Sequence, residues 1–104
     1  FARLLTGWSV AQRAEPFGTI FRRQAHEPGA KSVMGRTFEE GPEAAEAALR
    51  FLAAQPATHR HLAVKLARHF VADDPPPAAI RAIEAALRDS DGDLGAAARA
   101  LLLL

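Results

Sequence analysis

Apolar residues recur every three or four positions over most of the chain after residue 42, which is the spacing of one helix face. Pro42 suits the first position of a helix, and Pro56 ends that helix and begins a second one that runs to about Ala72. The inward residues expected in the first helix are Ala45, Ala48, Leu49 and Leu52. Those expected in the second are Leu62, Ala63, Leu66, Ala67 and Phe70. The two helices are predicted to form a tight antiparallel hairpin.

Two further helices are predicted after this hairpin. Asp74 and Pro75 suit the N-cap and the first turn of a third helix, and "SDGD" (Ser90 to Asp93) suits the capped start of a fourth. The inward residues expected are Ile80, Ile83 and Leu87, then Leu94, Ala97, Ala98 and Leu101. The clustered aspartates also suggest calcium ligands, but the glycine and glutamate spacing of an EF-hand loop is missing. Capping is therefore the preferred interpretation, and a second antiparallel helical hairpin is predicted.

The first 41 residues have a different pattern, because glycine and aromatic residues are concentrated there. "GTIFRRQA" (Gly18 to Ala25) favours a strand, and "KSVMG" (Lys31 to Gly35) is expected to return beside it around Pro28-Gly29. The opening "FARLLTGW" has the pattern of a helix end. The predicted fold is mostly α, with four helices as two antiparallel helical hairpins and a small N-terminal β-hairpin and loop region. Residues 1–41 are expected to pack on the four-helix region 42–104, together forming one domain or a fragment of a larger one.

Composition narrows the function classes. The formal net charge is +1, so no global field attracts nucleic acid or an anionic membrane. The absence of cysteine excludes disulfides, thiolate metal sites and a cysteine nucleophile. No apolar run reaches the roughly 20 residues of a membrane span. No sequence pattern of a known catalytic or cofactor-binding motif occurs, so no cofactor is predicted, and whether the chain is an enzyme stays open.

The stretch "HRHLAVKLARHF" (His59 to Phe70) carries three histidines, which raises the question of a metal site. His59 and His61 point to different sides of a helix, and His59 falls near the apolar side, where its ring packs and a polar edge stays wet. His61 and His69 lie about 12 Å apart along the axis. The chelating position after His61 is Lys65. The sequence therefore predicts no metal site.

The polar face of the same helix carries Lys65, Arg68, His61 and His69 without an acidic residue. Nucleic-acid binding is disfavoured, because the face lacks exposed aromatic residues and the whole chain is nearly neutral. Antiparallel packing is expected to bring Glu43 and Glu46 of the first helix beside this basic face. A solvated face that pairs with its neighbour is the preferred interpretation.

A second polar cluster surrounds the Pro28-Gly29 turn, where His26 and Lys31 flank the turn. Polar residues are common in turns, so the simple interpretation is structural. The alternative is an enzyme or a ligand-binding domain, with a site between this turn and the basic face of the helix at 56–72. The candidate residues for that site are His26, Lys31, Lys65, Arg68 and His69.

Four blocks, "FARLLTGWSV", "HEPGAKSVMG", "QPATHRHLAVKLARHFVADDPPP" and "DGDL", together resemble the C-terminal part of a bacterial family, domain of unknown function 1800. The resemblance covers nearly the whole chain. It implies that this chain is part of a longer, mostly helical parent protein. It also implies that the parent protein is exported to the periplasm or beyond. It carries no catalytic role onto any residue of this sequence.

The leading interpretation is a structural or protein-interaction segment of a larger bacterial protein. It rests on the apolar ends at Phe1 and Leu101 to Leu104 and on the lack of a catalytic motif. The expected partner is the rest of the parent chain or another protein.

Overall fold

The computed structural model of the protein describes residues 1–11 and 18–104. In these residues the chain forms four α-helices and two small antiparallel β-hairpins, which confirms the predicted mostly α fold. The chain forms two compact units, Phe1–Arg50 and Phe51–Leu104. The expected packing of residues 1–41 on the helical region stays a prediction.

Both β-hairpins lie in the first unit. β1 (Trp8–Ala11) pairs with β2 (Gly18–Phe21), and β3 (Lys31–Val33) pairs with β4 (Arg36–Phe38). The predicted pairing of residues 18–25 with residues 31–35 is therefore wrong. Each of the two predicted strands pairs instead with its own neighbour in the chain.

The loop between β3 and β4 explains the different pairing. Met34 and Gly35 have φ angles of 49° and 79°, and they join the paired residues Val33 and Arg36. A two-residue loop with two positive φ angles matches the twist of a hairpin, so β3 turns back at once. The Pro28-Gly29 turn lies outside both hairpins, and the Gly29 amide donates a hydrogen bond to Glu40 Oε2 at 2.7 Å.

The opening residues form a run of turns instead of the expected regular helix end. The Leu5 amide donates to the Phe1 carbonyl at 3.3 Å, as in one helical turn, and Leu4 is fully buried. Gly7 follows with a φ of 91° and leads directly into β1. A positive φ ends a helical turn, and glycine adopts it at little cost.

The helices begin and end close to the predicted positions. They are α1 (Glu43–Ala53), α2 (Pro56–Phe70), α3 (Pro77–Asp89) and α4 (Leu94–Leu102). Gln55 is extended before Pro56, and the Thr58 hydroxyl donates to the Leu52 carbonyl at 2.5 Å. The Asp93 carboxylate accepts a hydrogen bond from the Gly95 amide, as expected for the N-cap of α4.

The predicted start of the third helix is wrong. Asp74 is not its N-cap, because α3 begins at Pro77 and the extended residue Pro76 is the cap. A proline disfavours the helical conformation in the residue before it. In the run Pro75-Pro76-Pro77, only the last proline can therefore start the helix. α2 also ends at Phe70, two residues earlier than expected.

The second unit has an apolar core between α2, α3 and α4. Its buried members are Ala63, Ala67, Ile83, Leu87 and Ala97, and Leu62, Leu66, Ile80 and Leu101 pack around them. These inward positions agree with the sequence analysis, and the alanines permit close helix contact. Four predicted inward residues are exposed: Leu49, Phe70, Leu94 and Ala98. Phe70 and Leu94 are terminal residues of their helices, where the packed stripe ends.

Candidate functional site

Among the described residues of the first unit, His26 is the most buried polar residue. It follows the short 3-10 turn Arg23–Ala25, and its exposed fraction is 8%. Its ring stands edge-on to Phe21 of β2, with the ring centres 5.1 Å apart. Gly7 lies so close that a Cβ atom there would be 3.0 Å from the His26 Cβ. The ring is thus held between the opening turns and the first hairpin.

The hydrogen bonds of His26 define its preferred neutral form. Nδ1 lies 2.7 Å from the carbonyl oxygen of Thr6, which can only accept a hydrogen bond, so Nδ1 carries the proton. In the neutral ring, Nε2 then presents its lone pair. The Lys31 ammonium lies 3.4 Å from Nε2 and also donates to the carbonyl oxygen of Glu27. His26 and Lys31 therefore form a direct imidazole–ammonium pair.

Thr6 completes this cluster, and the sequence analysis did not identify it. Its hydroxyl donates to the Arg3 carbonyl at 2.7 Å and accepts from the Glu27 amide at 2.7 Å. Arg3 and Glu27 also form an ion pair, with 3.9 Å between Nε and Oε2. Thr6 is twenty positions from His26, so no local spacing in the sequence could have indicated the contact.

These contacts make the cluster of Thr6, His26 and Lys31 a structural junction in the first instance. It joins the opening turns to the segment before β3 through side-chain and backbone hydrogen bonds. Chemically, it also places a largely buried imidazole beside an ammonium group, with 3.4 Å between His26 Nε2 and Lys31 Nζ. This pair is the part of the cluster with acid–base capacity.

The other three candidate residues lie together on the outer surface of α2. Lys65, Arg68 and His69 are exposed and share a shallow concave surface with Leu62, Leu66 and Phe70. The rings of His69 and Phe70 meet edge-on, with 4.5 Å between their centres. We call these six residues the basic–apolar surface.

The histidines of α2 diverge as predicted, because His59 is 6% exposed whereas His61 and His69 are exposed. The sequence predicted that a polar edge of the His59 ring stays in contact with water. This prediction is wrong for one of the two ring nitrogens. Nε2 is buried and has no hydrogen-bond partner among the described residues.

The candidate residues thus fall into two groups in separate units. His26 and Lys31 belong to Phe1–Arg50, and Lys65, Arg68 and His69 belong to Phe51–Leu104. A joint site formed by both groups stays a prediction. The pairing of Glu43 and Glu46 with the basic residues of α2 also stays a prediction, and Glu46 bonds Arg50 on its own helix at 2.7 Å.

Exposed leucines lie at both ends of α4, and we call Leu102, Leu103 and the groove beside Leu103 the α4 surface. Leu102 and Leu103 are 84% and 78% exposed, and Leu94 is 63% exposed. Leu103 lines a shallow groove whose other residues are Asp93, Gly95, Ala96, Arg99 and Ala100. Leu94 was predicted to face inward, so its exposure was not expected from the sequence.

The family follows from a comparison with protein-family models. A family described as "Protein of unknown function (DUF1800)" matches residues 1–104. The chain belongs to the DUF1800 family. No curated protein and no solved structure matched the chain.

The DUF1800 description assigns no activity, so the features of this chain that bear on function are the cluster of Thr6, His26 and Lys31, the basic–apolar surface and the α4 surface. In the described part of this DUF1800 chain, no helix has both the length and the apolar character required to cross a membrane. Within the same residues, no group of three or more His, Asp or Glu side chains is arranged to hold a metal ion.

Proposed function

We propose that this DUF1800 chain is a protein-interaction segment of a larger, exported bacterial protein. The observation that carries the proposal is the exposure of the neighbouring residues Leu102 and Leu103 at the C-terminal end of α4. Large exposed apolar patches are rare on monomeric soluble proteins, and those that occur often mark interaction sites. Export is supported by the family resemblance alone.

The expected partner of α4 is a polypeptide, either the rest of the parent chain or another protein. Full burial of a leucine side chain contributes about 1.5–3 kcal/mol relative to exposure. Covering Leu102 and Leu103 is therefore a substantial driving force for association, although ordering the partners offsets part of it. Gly95, Ala96 and Ala100 beside Leu103 are small, so an apolar side chain can approach the α4 backbone closely.

The test uses the full-length parent protein with an affinity tag. We expect the wild-type parent either to retain a partner protein or to protect α4 through its own fold. In L102S/L103S we expect the partner to be lost or α4 to become sensitive to limited proteolysis. Val10→Ser is the matched control, because it removes an exposed apolar side chain from β1. Identical co-purifying proteins and identical proteolysis in wild type and L102S/L103S would overturn the proposal.

A second candidate is an enzyme or ligand-binding site that combines His26 and Lys31 with Lys65, Arg68 and His69. It is favoured by the imidazole–ammonium pair, because a buried base next to a cation is a common element of acid–base sites. The chain has no cysteine, so spin labels can be attached specifically to the double variant Ser32→Cys and His61→Cys, and the distance between the two labels can be measured. A short distance between them supports a joint site, and a distance close to the full width of the protein excludes it.

A further inference from the structure

We infer that the basic–apolar surface of α2 binds an acidic, amphipathic polypeptide segment. This inference rests on the proposed function in one respect, which is that the partner is a polypeptide. The surface that binds it is on α2 and not on α4. The binding residues are Leu62, Lys65, Leu66, Arg68, His69 and Phe70.

The first argument is the separation of charge within the second unit. Six Lys and Arg side chains and six Asp and Glu side chains balance over residues 51–104, yet α2 contains none of the acids. Arg60 has a carboxylate partner, Glu84, at 3.2 Å. No carboxylate of the second unit forms an ion pair with Lys65 or Arg68. Within the second unit these two cations are therefore not neutralised by a carboxylate, so an acidic segment from outside the unit can pair with them.

The second argument is the row of apolar side chains beside the cations. Leu62, Leu66 and Phe70 recur every four positions, so they follow one ridge of the helix. Lys65 and His69 have the same spacing on the adjacent ridge. Phe70 is 63% exposed at the end of its ridge and offers an aromatic contact. A helix with an apolar face bordered by carboxylates complements both ridges at once.

The charge density favours a polypeptide over a membrane or a nucleic acid. Segments that bind anionic lipids usually carry about 4–8 clustered Lys and Arg residues. This surface has only Lys65 and Arg68, with His69 beside them. Nucleic-acid-binding domains are strongly basic as a whole, whereas the second unit is balanced.

The probe is a fluorescent synthetic helical peptide with leucines on one face and glutamates along its border. It is titrated with the complete 104-residue chain, and binding is followed by anisotropy at low and at physiological salt. We expect saturable binding that weakens with salt, because the recognition is partly electrostatic. Amide NMR shifts should concentrate at residues 62–70. A peptide with lysines in place of the glutamates should not bind.

Variants of the chain locate the site. Lys65→Glu combined with Arg68→Glu, and separately Phe70→Ser, should each weaken binding by about tenfold or more. Arg81→Glu combined with Arg88→Glu is the matched control for the charge reversal, because it makes the same change of charge at two exposed positions on α3 and should leave the affinity unchanged. Circular dichroism shows whether each variant is folded, and NMR mapping on the wild type does not depend on any variant.

Three results would overturn the inference: no binding at millimolar peptide, equal binding by K65E/R68E and wild type, or stronger binding to phosphatidylserine vesicles or duplex DNA than to the peptide. L102S/L103S separates this inference from the proposed role of α4. If the peptide affinity falls only in L102S/L103S, the α2 assignment is wrong and the α4 surface is the site. If it falls only in K65E/R68E and F70S, the α2 assignment holds whatever the result for α4.

Discussion

His26 Nδ1 donates a hydrogen bond to the carbonyl oxygen of Thr6, with 2.7 Å between the two atoms. The contact joins the opening turns of the chain to the segment that precedes β3. On the other side of the ring, Nε2 faces the Lys31 ammonium at 3.4 Å. A single buried imidazole therefore connects three separate parts of the first unit.

Replacing His26 should destabilise the first unit. We expect His26→Ala to lower the free energy of unfolding by about 2 kcal/mol, because the part-buried carbonyl of Thr6 loses its donor and the packed imidazole ring is removed. His26→Asn should cost less, since its amide can donate from a similar position. Urea unfolding monitored by Trp8 fluorescence measures both, because Trp8 packs near Phe21 in the same unit. A loss for His26→Ala no larger than that for the exposed His61→Ala would contradict the junction role.

Gly7 should be far less tolerant of substitution than Gly35, although both have a positive φ. A Cβ at Gly7 would lie 2.8 Å from the Arg22 carbonyl oxygen, whereas a Cβ at Gly35 meets nothing within 4 Å. We expect Gly7→Ala to cost about 3 kcal/mol and Gly35→Ala about 1 kcal/mol. The same unfolding experiment compares them, and equal losses would show that the close packing around Gly7 does not matter.

His59 should be replaceable by an apolar side chain. Its Nε2 is buried without a hydrogen-bond partner in residues 1–11 and 18–104, and an unsatisfied buried polar group costs roughly 1–3 kcal/mol. We expect His59→Leu to raise the free energy of unfolding of the second unit by about 1 kcal/mol, measured by the far-ultraviolet circular dichroism of its helices. A clear loss of stability in His59→Leu would mean that the imidazole makes a necessary polar contact.

The start of α4 should depend on Asp93. Its carboxylate accepts from the Gly95 amide at 2.8 Å, so Asp93→Ala should cost about 1 kcal/mol, whereas Asp93→Ser should keep most of the cap. Amide hydrogen exchange in the first turn of α4 is the direct measurement. Unchanged exchange in Asp93→Ala would exclude the capping role.

The helical part of the fold could be predicted because its signals are local. Pro42, Pro56 and Asp93 fix helix ends within a few residues, and the spacing of Ile83 and Leu87 defines a buried face. The strands could not be paired correctly, because three- and four-residue strands are too short for a clear alternation of apolar and polar residues. The pairing of β3 with β4 depends on left-handed conformations at both Met34 and Gly35, and only the glycine is a residue type that favours this conformation.

The candidate site was predictable only in its local parts. His26 and Lys31 are five positions apart in one turn, and Lys65, Arg68 and His69 lie on one helix surface, so sequence spacing could group each set. Thr6 was missed because its contact with His26 is set by the tertiary structure. The exposure of Phe70 was also missed, because helical periodicity places it on the apolar side but does not show where the packed stripe ends.

We propose above all that the α4 surface is covered in the parent protein, either by the rest of the parent chain or by another protein. The most direct test is amide hydrogen exchange of residues 94–102, compared between the isolated 104-residue chain and the full-length parent as purified with its partners. We predict slower exchange across α4 in the parent, and loss of that protection in L102S/L103S. Equal exchange in the two proteins would contradict the claim.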